Sequence, residues 1–282
     1  MKTREWPRGT LYLCSTPIGN LGDVTLRALE TLRSCDLVAA EDTRKTRRLL
    51  SHFDIHTPMI SYREENRDAA GSRIIKRLER GDDVALVSDA GTPGISDPGQ
   101  DLVRRCLDEG IEIEAVPGAN AALTALVLSG LPTVRFSFEG FLPRKKGPRR
   151  RALEELASDN RTLIFHESPQ RVADTLEDIG EVLGERRIAL ARELTKKFEE
   201  VMRGNVSEIR GELEGRPVRG EVVLVVEGAG GVAVPAISEE EALGEVQRLR
   251  ASGVSLKDAA SQVAGRSPGL SKSRLYNAAL KE

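Results

Sequence analysis

Cysteine and histidine, which most often bind metals or form cross-links, are scarce in this sequence. It contains three of each among 282 residues. Cys14, Cys35 and Cys106 stand apart in apolar surroundings without a CxxC spacing, which is typical of buried free thiols rather than of disulfides or metal ligands. Because the histidines form neither an HExxH motif nor a cluster with metal-binding spacing, we predict no metal site.

Long apolar runs and a strong charge of one sign are also missing. No run approaches the roughly 18 residues that cross a bilayer, and the opening MKTREWPRGT lacks the apolar centre of a signal peptide. We therefore expect a cytoplasmic protein without membrane attachment. The net charge of -2 argues against a uniformly basic surface for nucleic acid but allows a local basic patch.

Several motifs of well-known enzyme classes are absent. The sequence contains no GxGxxG, no GKS or GKT and no GxSxG, which disfavours a standard dinucleotide site, P-loop chemistry and a serine-hydrolase elbow.

What the sequence does contain is an alternation of short β-like runs with helical patterns. At roughly 150 residues per domain, its length indicates two domains and a small extra module. The alternation predicts an α/β protein with a mostly parallel sheet covered on both faces. We place an N-terminal α/β domain at residues 1–143, a second α/β domain at 144–228, a linker at 229–238 and an all-α tail at 239–282.

The tail has the pattern of three helices, which start near Ser238, Ser255 and Ser271. A helix-turn-helix is one interpretation. A plain three-helix packing module is nearly as well supported, because the segment from Gly265 to Leu270 is longer than the usual turn of about 3–4 residues.

Three glycine-bearing loops each follow a predicted strand, at Pro17–Asp23, Asp89–Pro98 and Pro117–Asn120. The carboxyl ends of parallel strands meet at one edge of a sheet, so we expect the loops to surround one cleft. Their glycines allow close approach of the backbone to a ligand. The residues alone thus predict a nucleoside-type cofactor in a protein of two α/β domains.

The second loop, within VSDAGTPGISDPGQ, is longer than the roughly 2–6 residues that a βα connection needs. The extra length, with Asp89 and Thr92 at the carboxyl end of a predicted strand, favours a ligand-binding loop over a capped connection without a ligand. Asp97, Pro98 and Gln100 have the spacing of a capping box, and we assign them to the start of the next helix.

Eight segments together resemble the ribosomal-RNA-modifying members of the tetrapyrrole methylase family, nearly continuously from Gly9 to Gly228. They are STPIGNLGDVTLRALE, VAAEDTRKTRRLL, LVSDAGTPGISDPG, VPGANAAL, EGFLPRKKGPRRR, FHESPQR, ARELTKKFEE and GEVVLVVEG. The tail resembles the helix-turn-helix extension of those members. One departure is Gln170, where relatives often carry histidine.

The resemblance implies two α/β domains with S-adenosyl-L-methionine in the cleft between them, and a homodimer. It also implies 2′-O-methylation of a cytidine ribose in the decoding centre of 16S rRNA, in the small ribosomal subunit. The cofactor contacts that it implies are Pro17, Gly19, Asp89, Thr92, Asn120, Ala121, Phe165 and Leu194.

Methyl transfer from a sulfonium depends more on alignment than on deprotonation, since alignment supplies roughly 7–11 kcal/mol and a general base about 10²–10⁴-fold in rate. Our candidates for a base are Asp42, Glu167 and Glu193. The alternative for each is a salt bridge across the cleft.

Basic residues with few acidic neighbours in the sequence are the candidates for RNA contacts. Those in the two basic clusters are Arg44, Lys45, Arg144, Lys145, Lys146, Arg149, Arg150 and Arg151. Further candidates are Lys272 and Arg274 in the tail, and Lys196, for which a salt bridge with Glu193 is an equally supported alternative. This basic run and the helical tail favour an RNA substrate over two alternatives, a small-molecule tetrapyrrole methylase and a non-catalytic RNA-binding protein.

Overall fold

A computed structural model describes residues 8–230, 239–264 and 270–280 of the chain. Its contacts divide the chain into two units, one ending at Ala229 and one beginning at Gly230. Most of the predicted linker, residues 231–238, lies outside the described residues. In the described ranges, no helix has both the length and the apolar character to cross a membrane.

The first sheet is built from five parallel strands in the order β3-β2-β4-β1-β5. Strands and helices alternate as β1 (Thr10–Cys14), α1 (Leu26–Ser34), β2 (Leu37–Ala40), α2 (Thr43–His52), β3 (Met59–Ser61), α3 (Arg67–Glu79), β4 (Val84–Val87), α4 (Gln100–Asp108), β5 (Glu112–Val116) and α5 (Ala121–Ser129). Separate apolar clusters pack around Leu11 with Leu86 and around Cys14 with Val87. Successive residues of one strand thus enter different clusters, which confirms a parallel sheet covered on both faces.

The second sheet is mixed rather than mostly parallel. It contains β6 (Phe136–Phe141), α6 (Lys146–Glu155), β7 (Thr162–Glu167), α7 (Val172–Leu183), β8 (Arg187–Arg192), β9 (Glu200–Asn205), α8 (Val206–Leu213) and β10 (Val222–Val226). The strand order is β6-β7-β10-β8-β9, and only the pairing of β6 with β7 is parallel. The all-apolar β10 is fully buried at the centre, as its sequence predicts.

The chain enters the second sheet earlier than we predicted. Strand β6 pairs with β7, although the predicted boundary at residue 144 assigns it to the first domain. That boundary rested on the basic run. The run instead lies in a helix that packs on the second sheet's core through Leu153.

The predicted start of helix α4 is wrong, because this helix is capped by Gly99 at φ 148° and not by Asp97. Helix α7 begins at Val172. Helix α2 is capped by Asp42, whose carboxylate accepts the Arg44 N–H.

The C-terminal unit contains α9 (Glu239–Ala251), α10 (Leu256–Ala264) and α11 (Lys272–Ala279). Its apolar core includes Val246, Val263 and Leu275, which confirms a three-helix tail. Leu280, which follows the last helix, is 60% exposed. Residues 238 and 265–269, at the first helix start and in the second connection, lie outside the described residues.

Candidate active site

The first two glycine loops are joined directly at the carboxyl edge of the first sheet. The Thr16 N–H donates to the Gly91 carbonyl at 2.9 Å, and the Gly91 N–H donates back at 3.1 Å. The Ser15 and Thr92 hydroxyl oxygens are 3.1 Å apart. Gly91 has φ +79°, where a side chain would be strained, so the glycine allows this close pairing.

A cavity of about 420 Å³ lies between the two sheets beside these loops. Four predicted cofactor contacts line it: Asp89, Thr92, Asn120 and Ala121. The volume is within the range of roughly 300–1,000 Å³ that is usual for ligand sites. The predicted convergence of the three loops is therefore present in the fold.

The other four predicted cofactor contacts do not line this cavity. Phe165 is fully buried in the second sheet's core, and Leu194 belongs to an apolar cluster with Ile18, which does line the cavity. Gly19 is covered by Lys196, since a Cβ there would lie 2.5 Å from the Lys196 Cγ. Pro17 lines a smaller neighbouring cavity.

The wall contributed by the second sheet contains residues that we did not predict. His166 stands edge-on to Phe138 and Phe141, with ring centroids 5.1 and 5.5 Å away. Its buried Nε2 has no hydrogen-bond partner, and burial lowers the pKa of the ring. Gly220 and Glu221 complete this wall before β10. The available signal was the position of His166 near the carboxyl end of a predicted strand.

A second cavity of about 660 Å³ adjoins the first. Four residues line both cavities: Glu41, Asp89, Ser96 and Asp97. The remaining lining includes charges of both signs, among them Asp42, Arg44, Arg63, Glu64 and Glu65. The two cavities therefore meet at a group of three carboxylates, which we call the junction carboxylates: Glu41, Asp89 and Asp97.

The junction carboxylates differ in their partners. Asp89 accepts the Asp42 N–H at 2.9 Å and pairs with Lys45 Nζ at 2.7 Å. Glu41 accepts the Asp89 N–H at 3.1 Å, and burial raises its pKa. Asp97 has no Lys or Arg within ion-pair distance in the described part of the chain, and burial with the charge of Glu41 raises its pKa to about 6.

The three predicted base candidates are instead held by nearby donors. Hydrogen bonds from Arg44 lower the pKa of Asp42, and the Lys196 ammonium, 2.9 Å away, lowers that of Glu193. Glu167 is 3% exposed and accepts hydrogen bonds from the Ser168 N–H, Arg171 and Thr175 at 2.7, 3.0 and 2.6 Å. Each of the three pairs with a basic residue within four positions of it in the sequence, and not with one across the cleft as the alternative had it. The lowered pKa values of Asp42 and Glu193 make these two carboxylates poor proton acceptors.

The predicted RNA contacts separate into buried and exposed groups. Arg149 is 3% exposed and shares Asp178 with the partly exposed Arg150. Arg149 is therefore not available for RNA in this structure. The acidic partner is distant in sequence but close in space. Exposed members of the run are Arg144, Lys145, Lys146 and Arg151.

The remaining candidates are exposed to different degrees. Arg44 pairs with Asp42, and Lys45 with Asp89. Lys196 bridges Glu193 and Glu221. Lys272 and Arg274 are exposed on α11 in the C-terminal unit.

Comparison with known proteins assigns this fold and site to a family. The sequence profile of the Tetrapyrrole (Corrin/Porphyrin) Methylases matches residues 10–210. A protein of Halalkalibacterium halodurans named ribosomal RNA small subunit methyltransferase I is 50% identical, over 96% of this chain and 94% of that protein. One of the same name from Synechocystis is 47% identical, over 97% and 98%. The crystal structure of diphthine synthase superposes with TM-score 0.60 at 15% identity, covering 78% of this chain and 90% of that one, and supports the fold alone.

The chain therefore belongs to the tetrapyrrole methylase family, and within it to the group whose members carry the name ribosomal RNA small subunit methyltransferase I. The predicted family, α/β fold class and cofactor are confirmed, and S-adenosylmethionine is its methyl donor. The 420 Å³ cavity fits this donor, because it combines apolar walls with Asp89, Thr92, Asn120 and the unpartnered Nε2 of His166.

Proposed function

We propose that this protein methylates small-subunit ribosomal RNA, and that it transfers the methyl group to the 2′-oxygen of a cytidine ribose in the decoding centre of 16S rRNA. The observation that carries the proposal is the pair of adjoining cavities, one of cofactor size and one larger and charged. Relatives about half identical over nearly their full lengths are named for ribosomal RNA.

The smaller cavity holds the cofactor in this proposal. Asn120 caps α5 by accepting the Leu123 N–H at 3.0 Å, which leaves backbone N–H groups of Ala121 and Ala122 at a helix start that favours a carboxylate. Asp89, which lines the cavity and shares its charge with Lys45, compensates positive charge on the donor in this proposal. When bound, S-adenosylmethionine supplies a methyl group on a sulfonium and departs as a neutral sulfide.

The larger cavity and the exposed part of the basic run face RNA in this proposal. Lys145 and Lys146 are exposed at the start of α6, and β6, which precedes this helix, carries Phe141, 57% exposed at the cofactor cavity. Cations contribute phosphate affinity, and exposed aromatic rings stack on unpaired bases.

The experiment is incubation of the protein with methyl-labelled cofactor and small ribosomal subunits, followed by mapping of the labelled nucleotide. We expect label on one ribose of 16S rRNA. Label in a porphyrinoid would support a tetrapyrrole methylase, and RNA binding without label would support a non-catalytic RNA-binding protein.

A homodimer remains part of the proposal. Leu123 and Val127 are 47% and 70% exposed on α5, which begins at the cofactor cavity, and such apolar residues are candidates for an interface. Light scattering should give twice the mass of the 282-residue chain.

A further inference from the structure

Asp97 lies where the two cavities meet. Unlike the three predicted base candidates, it is not paired with a basic residue in the described part of the chain. It lines both the cofactor-sized cavity and the larger charged one. A group that accepts a proton during methyl transfer must reach the hydroxyl that faces the donor. Such a group is therefore expected at the boundary between cofactor and substrate.

The loop that carries Asp97 is held in a costly conformation. Ser96 has φ +60°, a left-handed value that disfavours a residue with a side chain, and such strain is concentrated at functional sites. The same loop lies near the second sheet, because a Cβ added to Gly140 would lie 3.5 Å from the Ser96 Oγ. Gly140 itself follows an irregularity in β6. The residue before Asp97 thus lies close to both sheets.

No cation pairs with the Asp97 carboxylate in the described residues, although the Ser88 hydroxyl donates a hydrogen bond to it. Lys45, the cation whose charge acts on Asp97, is already paired with Asp89. Glu41 and Asp89 face it from the ends of β2 and β4. The other titratable residues lining the two cavities are Asp42, Arg44, Arg63, Glu64, Glu65, His166, Glu167 and Glu221, and the cations among them do not pair with Asp97 in the described part of the chain.

We propose that Asp97 is the proton acceptor for the substrate hydroxyl, a role that rests on the proposed function. The hydroxyl O–H bond breaks and its proton moves to the Asp97 carboxylate. The oxygen forms a bond to the methyl carbon, and the sulfur keeps the electron pair of the broken S–CH₃ bond. No further reactant is needed.

The electrostatics of the junction suit this role. A proton acceptor works best with a pKa near the operating pH. Burial and the charge of Glu41 raise the pKa of Asp97 to about 6, whereas hydrogen bonds lower the pKa values of Asp42 and Glu193. Glu41 lines both cavities as well. It accepts the Asp89 N–H, as Asp97 accepts a hydrogen bond from Ser88, so Glu41→Gln is needed to separate the two.

The test compares Asp97→Asn, Glu41→Gln and the control Asp108→Asn, which makes the same change at an exposed position near the end of α4. Each is assayed with small ribosomal subunits at saturating cofactor, and cofactor affinity is measured by calorimetry. We expect Asp97→Asn to lower kcat by about 10²–10⁴-fold with cofactor affinity changed by less than about threefold. Asp108→Asn should behave as wild type.

The pH dependence keeps the proposal testable even if a variant folds poorly. Wild-type kcat should rise with pH up to about 6 and then level, and Asp97→Asn should lack this rise. In the unliganded wild-type protein, carbon NMR should show the Asp97 carboxyl titrating near the same pH. A kcat in Asp97→Asn within about threefold of wild type, a flat wild-type profile, or loss of the acid limb only in Glu41→Gln would overturn this role. If wild-type protein transfers no methyl group to ribose, the proposed function fails and this role fails with it.

Discussion

Asp178 and Asp97 are both at least partly buried, but Asp178 is paired with two arginines, whereas Asp97 has no cation paired with it in the described residues. Asp178 is 0% exposed and receives Arg149 Nε at 2.6 Å and Arg150 Nε at 2.7 Å. Burial alone would raise its pKa, but the hydrogen bonds from Arg150 and Arg149 outweigh burial and lower it. Asp97 is half-buried beside other carboxylates, and its pKa is raised. The comparison shows that the partners of a buried acid, and not its burial, separate a structural group from a reactive one.

The largest measurable loss of unfolding free energy should follow from removing the charge of Asp178. Asp178→Asn leaves two arginines, one of them buried, without their counter-charge, and breaking a buried pair in this way costs about 3–5 kcal/mol. Urea unfolding of the full chain measures the loss. Glu181→Gln is the control, because Glu181 pairs with Arg150 from a 47% exposed position and should cost less than about 1 kcal/mol. A loss for Asp178→Asn no larger than for the control would mean that the buried pairing contributes little.

A variant of Glu167 can decide whether this carboxylate has a structural role, like Asp178, or accepts a proton, as we propose for Asp97. Both of its oxygens accept hydrogen bonds, from Ser168 on one side and from Arg171 and Thr175 on the other. In Glu167→Gln the amide NH₂ faces a donor in either orientation, so we expect a loss of about 1–3 kcal/mol in unfolding free energy.

The same variant separates stability from catalysis. Glu167→Gln should keep kcat for methyl transfer within about tenfold of wild type, well above the level expected without a general base. A loss of kcat of about 10³-fold with unchanged stability would instead place Glu167 among the reactive carboxylates.

The elements of the first sheet could be predicted from the sequence because their information is local. Periodic apolar residues and glycine turns define each strand and helix, as in Val84–Val87 and the loop after it. The partners of charged residues are not local: Arg149 and Asp178 are 29 positions apart. The basic run therefore suggested a free surface, and the spacing of Asp97 and Gln100 suggested a helix cap. The folded loop instead uses Gly99 as the cap and leaves Asp97 in the cleft.

The basic run likewise contains both a buried, paired charge and exposed charges. Lys145→Glu with Lys146→Glu changes exposed cations, and we expect about a tenfold loss of RNA affinity, or about 1.4 kcal/mol. The slope of log affinity against log salt should fall by about one unit per lost phosphate contact. Filter binding between about 50 and 200 mM salt measures both quantities.

Two further variants test the specificity of this effect. Lys76→Glu with Arg80→Glu changes exposed cations at the end of α3, near the amino ends of the strands and away from the cleft, and should leave RNA affinity unchanged. Arg149→Glu should unfold the protein instead, because it sets a carboxylate against buried Asp178. Equal losses of RNA affinity from both double variants would show only a general charge effect.

The smallest effect is a gain of stability in Asp97→Asn, which is opposite in sign to the loss expected for Asp178→Asn. The pKa of Asp97 is about 6 in the folded protein against an ordinary 3.8, so the folded state binds this proton more tightly than the unfolded state. The resulting stability is present in full below about pH 4 and is lost as the pH rises through about 6. Asp97→Asn removes this loss. It should be more stable than wild type at about pH 8, by about 1 kcal/mol after allowance for partial exposure, and the gain should disappear towards about pH 4. Thermal unfolding at several pH values measures the difference. If Asp97→Asn is less stable than wild type across this pH range, Asp97 has a structural role like that of Asp178, and the contrast between the two aspartates does not hold.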